Sequence, residues 1–241
     1  MLYLSGAKNA VISDDLRDGT IGLLQTPKSG YRLEGVAVWA MDNGCFTDAY
    51  PGDDGYMSLL ARYEKHKERC LFVTVPDVVG DGAATLARFQ PMAGRIKSSG
   101  WPVALVAQDG MTADLIPWTD IDWMFVGGST EWKKGMDAAA LILAAKGYGV
   151  KVHVGRVNSA KRFAHFAGLG ADTSDGTFIA FGPDKNSPKV REWMRQNVQG
   201  VLMFIASVNR NSVTHIPVYD RPVQGFSRIM SVWMFPRVEA Q

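Results

Sequence analysis

The sequence of 241 residues has few cysteines and no long apolar run. Its two cysteines, Cys45 and Cys70, are too few for a disulfide scaffold or a cysteine-rich zinc site, and they indicate a reduced, cytoplasmic protein. No apolar run approaches the roughly 20 residues of a membrane helix, and the N-terminus does not look like a secretory signal. The histidines lack metal-ligand spacing, so His153 and His165 are expected to be core or loop residues. We therefore expect no metal, no cofactor and no membrane contact.

Charge is distributed unevenly along the chain. Residues 1–125 carry a net charge of −5, and residues 126–241 carry a net charge of +7. Scattered surface charge, which is common on soluble proteins, accounts for such an asymmetry. A second half that faces a polyanion accounts for it equally well. Composition alone leaves both interpretations open.

Short apolar runs alternate with segments of helical spacing. Six runs predict strands, at 2–6, 35–41, 70–77, 102–109, 122–128 and 150–156. Four intervening segments predict amphipathic helices, at 55–68, 83–99, 137–149 and 159–170. A seventh strand is expected at 171–174, and the eighth at either 177–181 or 201–205. Near-continuous hydrophobic strands separated by helices are typical of parallel βαβ units.

No linker, low-complexity stretch or short-period repeat interrupts this alternation. We therefore predict one domain over residues 1–241, in which the pattern defines residues 200–241 least. A single-domain (β/α)₈ barrel of the TIM type accounts for the alternation and the chain length best. A doubly wound open sheet is the alternative.

Polar or glycine-rich residues follow nearly every predicted strand. In a barrel the carboxyl ends of the strands converge on one mouth, where substrates bind. An aspartate or glycine after a strand ordinarily makes a turn, but a succession of such ends favours a common pocket. The segment LGADTSDGTFIAFG, at 169–182, has two carboxylates, Asp172 and Asp175, either of which could lie at the mouth of the barrel. The predicted pocket residues are Asp42, Asp77, Gln108, Gly128, Gly155 and Asp175.

This series resembles the tRNA-guanine transglycosylase superfamily, whose (β/α)₈ barrels exchange guanine for a 7-deazaguanine. DNGCFT, at 42–47, stands where that family has Asp-Ser-Gly-Gly-aromatic-Gln. The later motifs follow in the family's order, from Asp77 in VTVPD through Gln108 in VAQDG, Gly127 and Gly128 in VGGS, and Val154 with Gly155, to Asp175 in GADTSDG. The matches cover residues from about 36 to 180.

The resemblance implies a role for each matched residue. Asp175 is the implied nucleophile at the sugar C1′, and Asp42 is the implied acid and base that protonates the departing purine. Guanine and 7-deazaguanines share N1–H and N2–H₂ donors and an O6 acceptor. The implied base-binding residues are Asp77 for the donors, Gln108 and the Gly128 N–H for O6, Phe46 and Val154 as a sandwich, and Gly127 and Gly155. A glycine at position 128 lets the backbone approach the base closely.

The sequence departs from the family at the zinc site of its tRNA enzymes, which holds three cysteines and a histidine. No cysteine follows Cys70 in this sequence, so we expect neither that zinc subdomain nor an appended RNA-binding domain. The compact, zinc-free pattern is similar to the phage and bacterial branch that modifies DNA. The implied partners are DNA and a free 7-deazaguanine base, in the cytoplasm of the cell or of a phage's host. The cations expected near DNA are Lys133, Lys134, Arg156, Lys161 and Arg162.

Other substitutions affect base contacts, because Asn43, Cys45 and Thr47 replace the family's Ser, Gly and Gln. Three alternative functions stay open. They are a tRNA enzyme of the queuosine or archaeosine type, a non-catalytic barrel that binds nucleic acid or a purine, and an unrelated barrel hydrolase. The 7-substituent is open among nitrile, aminomethyl and amidine, and the assembly is open between a monomer and a homodimer.

Overall fold

The computed structural model describes the backbone of residues 1–211 and the side chains of residues 1–197. Eight parallel strands close into a barrel in the order of the sequence. The predicted (β/α)₈ barrel is confirmed, and the open sheet is excluded. The strands are β1 Leu2–Ser5, β2 Gly22–Gln25, β3 Trp39–Met41, β4 Cys70–Thr74, β5 Val103–Ala107, β6 Trp123–Val126, β7 Lys151–Val154 and β8 Thr173–Gly176.

The helices lie between the strands and after the last one. Their bounds are α1 Ser13–Asp18, α2 Asp53–Arg62, α3 Gly82–Ser98, α4 Thr130–Lys133, α5 Met136–Gly147, α6 Ala160–Gly168 and α7 Pro183–Asn211. Side-chain oxygens of Asp81, Ser129 and Ser159 accept hydrogen bonds from the first backbone N–H groups of α3, α4 and α6. Such caps satisfy donors that the helix itself leaves free. Within the described residues, no helix combines the length and apolar character needed to cross a membrane.

The prediction for the eighth strand is wrong. Residues 177–181 form a turn, and residues 201–205 lie within α7. The segment predicted as the seventh strand is β8, and the strand that the pattern missed is β2. The short β2 has only two apolar residues, Leu23 and Leu24, between a glycine and a glutamine. Its hydrophobic signal is therefore too weak to stand out.

Residues Met1–Gly200 form one compact unit. The extension of a single domain to residue 241 lies partly outside the described residues. Within this unit, the barrel has an inner and an outer apolar layer. The inner layer consists of Leu4, Leu24, Ala40, Phe72, Ala104, Val106, Trp123 and Phe125. The outer layer, against the helices, takes alternate strand residues that include Trp39, Val73, Leu105, Met124 and Val152. Successive strand residues point to opposite faces, so this alternation decides which polar residues face the mouth.

Candidate active site

Asp175 lies in β8 and accepts two hydrogen bonds on one oxygen. The Nε2 of His153 lies 3.0 Å from its Oδ1, and the backbone N of Arg156 lies 3.2 Å from the same atom. The ring of His153 is fully buried, and its Nδ1 lies 2.7 Å from the Oγ1 of Thr173. Burial lowers the pKa of His153, so the ring is neutral near pH 7. A carboxylate only accepts hydrogen bonds, so Nε2 carries the ring proton.

The other carboxylate of the 169–182 segment has a structural role. The Oδ2 of Asp172 accepts a hydrogen bond from the backbone N of Val152 at 2.7 Å and pairs with the Nζ of Lys146 at 2.8 Å. These contacts connect the residue before β8 to β7 and α5. Asp175, three residues later, is the carboxylate at the mouth.

Asp42 directly follows β3 and is partly buried. Its Oδ1 accepts a hydrogen bond from the backbone N of Gly44 at 2.6 Å. Burial raises the pKa of Asp42 to about 7, and the negative charges of Asp175 and Asp77 act in the same direction. A carboxyl group that titrates near neutral pH both gives and takes a proton readily. Asp42 therefore has the properties of a general acid and base.

Asp77 and Gln108, predicted from separate strand ends, are in direct contact. The Oδ2 of Asp77 accepts a hydrogen bond from the Nε2 of Gln108 at 2.6 Å, and its Oδ1 accepts one from the Nδ2 of Asn43 at 2.9 Å. The Oε1 of Gln108 accepts a hydrogen bond from the backbone N of Gly80 at 3.0 Å. All three side chains are buried, and burial raises the pKa of Asp77. Asn43 is therefore part of this network and also donates a hydrogen bond to the carbonyl oxygen of Val75 at 2.9 Å.

Arg156 connects the strand ends of β6 and β7 to the turn after β3. Its guanidinium carbon lies 4.6 Å from the ring centroid of Phe46, which is 59% exposed. The same guanidinium donates hydrogen bonds to the carbonyl oxygens of Gly127, at 3.0 Å, and Gly128. Arg156 has a φ of 63°, a left-handed conformation that is uncommon for a residue other than glycine. The contacts with Phe46, Gly127 and Gly128 place the guanidinium at the mouth of the barrel.

At three glycines of the predicted pocket, a neighbouring side chain occupies the space that a Cβ would fill. A Cβ on Gly127 would lie 2.9 Å from the Nε2 of Gln108. A Cβ on Gly155 would lie 2.8 Å from the ring of Phe125 and 3.4 Å from the Oδ1 of Asp175. A Cβ on Gly128 would overlap the Trp132 ring. The strand ends pack this closely only because these positions lack side chains.

Two implied base contacts are wrong. The side chain of Val154 belongs to the outer layer between the strands and the helices, so it does not face a base in the mouth. The period of two along β7 directs His153 inward instead, where it contacts Phe72 and Phe125. The N–H of Gly128 donates to the carbonyl oxygen of Ala107 at 3.2 Å and is therefore not free for O6.

The predicted DNA-facing cations fall into different environments. Lys133 is 5% exposed, and its Nζ donates a hydrogen bond to the carbonyl oxygen of Gly155 at 2.6 Å. Burial, together with the positive charge of Arg156, lowers the pKa of Lys133 to about 7. The prediction that Lys133 contacts DNA is therefore wrong. Lys134 and Lys161 are exposed, and Arg162 is partly buried.

The sequence pattern predicts no functional role for His153 and marks Asn43 only as a departure from the resembled motif. Each had a usable signal, because His153 occupies an inward position of β7 and Asn43 follows Asp42 directly. Among the described residues, no group of three or more His, Cys, Asp or Glu side chains is arranged to hold a metal ion. A groove of about 450 Å³ at the amino ends of the strands, lined in part by Trp118, Trp123 and Tyr148, contains none of the predicted site residues.

No protein-family model and no curated protein matches this chain. One solved structure with a similar fold is the BexX/CysO complex of Amycolatopsis orientalis, at 14% identity and a TM-score of 0.55, covering 89% of this chain and 93% of that chain. The open form of tryptophan synthase from M. tuberculosis has 15% identity and a TM-score of 0.49, covering 83% of this chain and 90% of that chain.

A third structure is the Bacillus subtilis YkuI protein, which has an EAL domain and is in complex with c-di-GMP and calcium. It has 13% identity and a TM-score of 0.46, and the match covers 72% of this chain and 46% of that chain. This chain therefore spans less than half of YkuI. None of the three names refers to base exchange. The BexX/CysO match, at 14% identity, supports the fold alone, and the closed eight-stranded parallel barrel is itself the TIM-barrel fold, which many enzymes share.

Proposed function

We propose that this protein is a transglycosylase that replaces guanine in DNA with a 7-deazaguanine through a covalent aspartyl–glycosyl intermediate. The observation that carries the proposal is a pair of carboxylates in different environments at one barrel mouth. Asp175 is fixed by two hydrogen-bond donors, and Asp42 titrates near neutral pH beside the charge of Asp175. Retaining displacement at an anomeric carbon needs one carboxylate as the nucleophile and another as the acid and base.

The proposed reaction has two balanced halves. In the first, the carboxylate of Asp175 bonds to C1′ while the C1′–N9 bond breaks, and protonated Asp42 gives its proton to the departing guanine. In the second, the entering base loses its N9 proton to Asp42, N9 bonds to C1′, and the bond to Asp175 breaks. Both carboxyl groups thereby return to their starting states.

The proposed base pocket uses the buried Asp77 network. The carboxylate of Asp77 matches the N1–H and N2–H₂ donors that guanine and 7-deazaguanines share. Gln108 gives one Nε2 hydrogen to Asp77 and has a second, which we assign to O6. The exposed ring of Phe46 offers a stacking surface. Adenine presents the opposite pattern at this edge, so it would leave buried groups unpaired and be rejected.

DNA is the proposed polymer because the sequence resembles the compact, zinc-free branch of the family. Lys134, Lys161 and Arg162 follow β6 and β7 and are the cations proposed to contact phosphates. Contacts to phosphates form with either nucleic acid and do not distinguish deoxyribose from ribose. The choice between DNA and tRNA therefore needs a direct comparison of the two substrates.

The test supplies a labelled 7-deazaguanine base with either duplex DNA or tRNA at matched salt concentration. We expect label in the nucleosides of DNA, measured by mass spectrometry after digestion, and none with the Asp175→Asn protein. Label in tRNA alone would overturn the choice of DNA and leave base exchange standing. Label in neither polymer, across bases with nitrile, aminomethyl and amidine substituents, would contradict the proposed function.

A further inference from the structure

The two oxygens of the Asp175 carboxylate are not equivalent. His153 and the backbone N–H of Arg156 both donate to Oδ1. Gly155 also lies beside that oxygen, because its absent Cβ would be only 3.4 Å away. Within residues 1–197, no side chain or backbone group donates a hydrogen bond to Oδ2. One oxygen is therefore held by the protein, and the other has no hydrogen-bond donor among these residues.

The imidazole that holds Oδ1 is itself buried and contacts two aromatic rings and a hydroxyl. Its ring centroid lies 5.0 Å from that of Phe72 and 4.4 Å from that of Phe125. The hydroxyl of Thr173, on the adjacent position of β8, contacts Nδ1 at 2.7 Å. Since Nε2 carries the proton, this hydroxyl donates to Nδ1 and holds the ring in one tautomer. The charged groups that act on the ring are Asp175 and Lys133.

We propose that His153 is a positioning residue that fixes Oδ1 of Asp175 and so presents Oδ2 to the sugar C1′. This inference rests on the proposed function. A lone pair of Oδ2 forms the bond to C1′, the C1′–N9 electron pair leaves with the base, and no proton moves to or from His153. In the resulting ester Oδ1 is the carbonyl oxygen. When the ester breaks, the carboxylate regains its negative charge, and the same two donors stabilise that charge.

Two substitutions separate the N–H donor from the packing of the ring. His153→Phe keeps an aromatic ring between Phe72 and Phe125 but lacks the donor. His153→Gln retains an N–H donor on a side chain of comparable reach. We expect His153→Phe to lower kcat about 10- to 100-fold, the loss associated with one hydrogen bond to a charged group, with an unchanged KM for the entering base. We expect His153→Gln to retain most of the wild-type kcat.

The outcomes distinguish positioning from packing. A packing role would spare His153→Phe, which keeps the aromatic ring between Phe72 and Phe125, and would impair His153→Gln, which loses it. Wild-type kcat in a folded His153→Phe protein, or equal losses in two folded variants, would overturn the proposal.

A second measurement needs no substrate and therefore separates this inference from the proposed function. Nitrogen-15 NMR of the histidine side chains reports which ring nitrogen carries the proton. We expect neutral His153 with hydrogen on Nε2, and an Nε2–H signal that exchanges faster with water in Asp175→Ala. A ring protonated on Nδ1 would overturn the inference even if exchange activity is present. Absence of exchange by the wild-type protein would instead contradict the proposed function.

Discussion

The guanidinium of Arg156 lies 4.6 Å from the ring centroid of Phe46 and so connects opposite sides of the barrel mouth. Phe46 follows β3 and Arg156 follows β7, and these strands are four positions apart in the closed barrel. The planar cation covers a face of the aromatic ring, an arrangement that is itself favourable. A base that stacks on this face of Phe46 must therefore displace the guanidinium of Arg156.

We expect Phe46→Ala to weaken binding of the free base about 10- to 100-fold, because base–aromatic stacking contributes about 1–3 kcal/mol. Phe46→Trp should retain affinity, since it preserves a flat aromatic surface. Equilibrium binding of a fluorescent or radiolabelled 7-deazaguanine measures both. Tyr148→Ala is the matched control, because it removes a similarly exposed ring, 65% against 59%, from the opposite end of the barrel. Equal losses in Phe46→Ala and Tyr148→Ala would argue against a stacking site at Phe46.

The contrast between Asp175 and Asp172 gives a second prediction. Asp175→Asn should abolish base exchange and covalent trapping on DNA, because an amide cannot replace the carboxylate as the nucleophile. Asp172→Asn should keep the exchange activity but lower the free energy of unfolding by about 1 kcal/mol, since it weakens contacts with Lys146 and Val152. Exchange assays and urea unfolding of both variants test this pair. Exchange by a verified Asp175→Asn protein would rule out the covalent mechanism.

The sequence predicts the barrel well because apolar runs and helical spacing both depend on local packing. Asp77 and Gln108 could be predicted together because parallel strand ends converge, whatever their separation along the chain. The missed strand, β2, has only two apolar residues, so no periodicity marks it.

Site details that depend on register or on a neighbouring element were harder to predict. Val154 is apolar and precedes a glycine, which favours a base contact, but alternation along β7 directs its side chain toward the helices. Lys133 is the last residue of a four-residue helix, which is too short to show a polar and an apolar face. The bond between the Gly128 N–H and Ala107 exists only because β5 and β6 lie side by side. The burial of Lys133 and the Gly128 hydrogen bond depend on neighbouring elements, whereas the direction of Val154 follows from the alternation along β7.

The raised pKa of Asp42 predicts how stability depends on pH. The folded protein keeps the Asp42 proton up to about pH 7, whereas an unfolded chain releases it near pH 4. Between these values the folded state binds more protons than the unfolded state, so rising pH removes this contribution to stability. We expect the free energy of unfolding of the wild type to fall, relative to Asp42→Asn, as pH rises from about 4 to 7. Urea unfolding of both proteins measures the difference, and parallel curves would contradict the prediction.

The same titration predicts a pH dependence for the first half-reaction. Protonated Asp42 is required for guanine to depart, so covalent trapping on DNA without an entering base should slow as pH rises above about 7. Asp42→Asn should trap slowly at every pH, because its amide cannot supply the proton. Single-turnover trapping across pH 5.5–8.5 tests this. A trapping rate that rises above pH 7 in the wild type would indicate a different acid.

Metal removal gives a further prediction. We expect exchange activity to survive prolonged chelation, because the proposed steps use only carboxylates and hydrogen-bond donors. Metal analysis of the purified protein should find zinc well below one ion per chain. A control with a zinc-dependent enzyme under the same treatment establishes that chelation was effective. Loss of exchange with chelator, restored by added zinc, would reveal a metal site and contradict this prediction.

The adjacent lysines 133 and 134 lead to opposite expectations for DNA binding. Lys134 is exposed, whereas the buried ammonium of Lys133 is hydrogen-bonded to Gly155. Each phosphate contact releases counterions and contributes about 0.9 to the slope of log affinity against log salt concentration. Lys134→Ala should therefore reduce that slope by about one. Lys133→Met should leave the slope unchanged, because a buried ammonium makes no phosphate contact. Fluorescence anisotropy with duplex DNA, in the Asp175→Asn background to prevent turnover, gives both slopes.

An equal reduction of the slope in both variants would show that Lys133 contacts DNA. An unchanged slope for Lys134→Ala would remove Lys134 from the proposed DNA-binding surface.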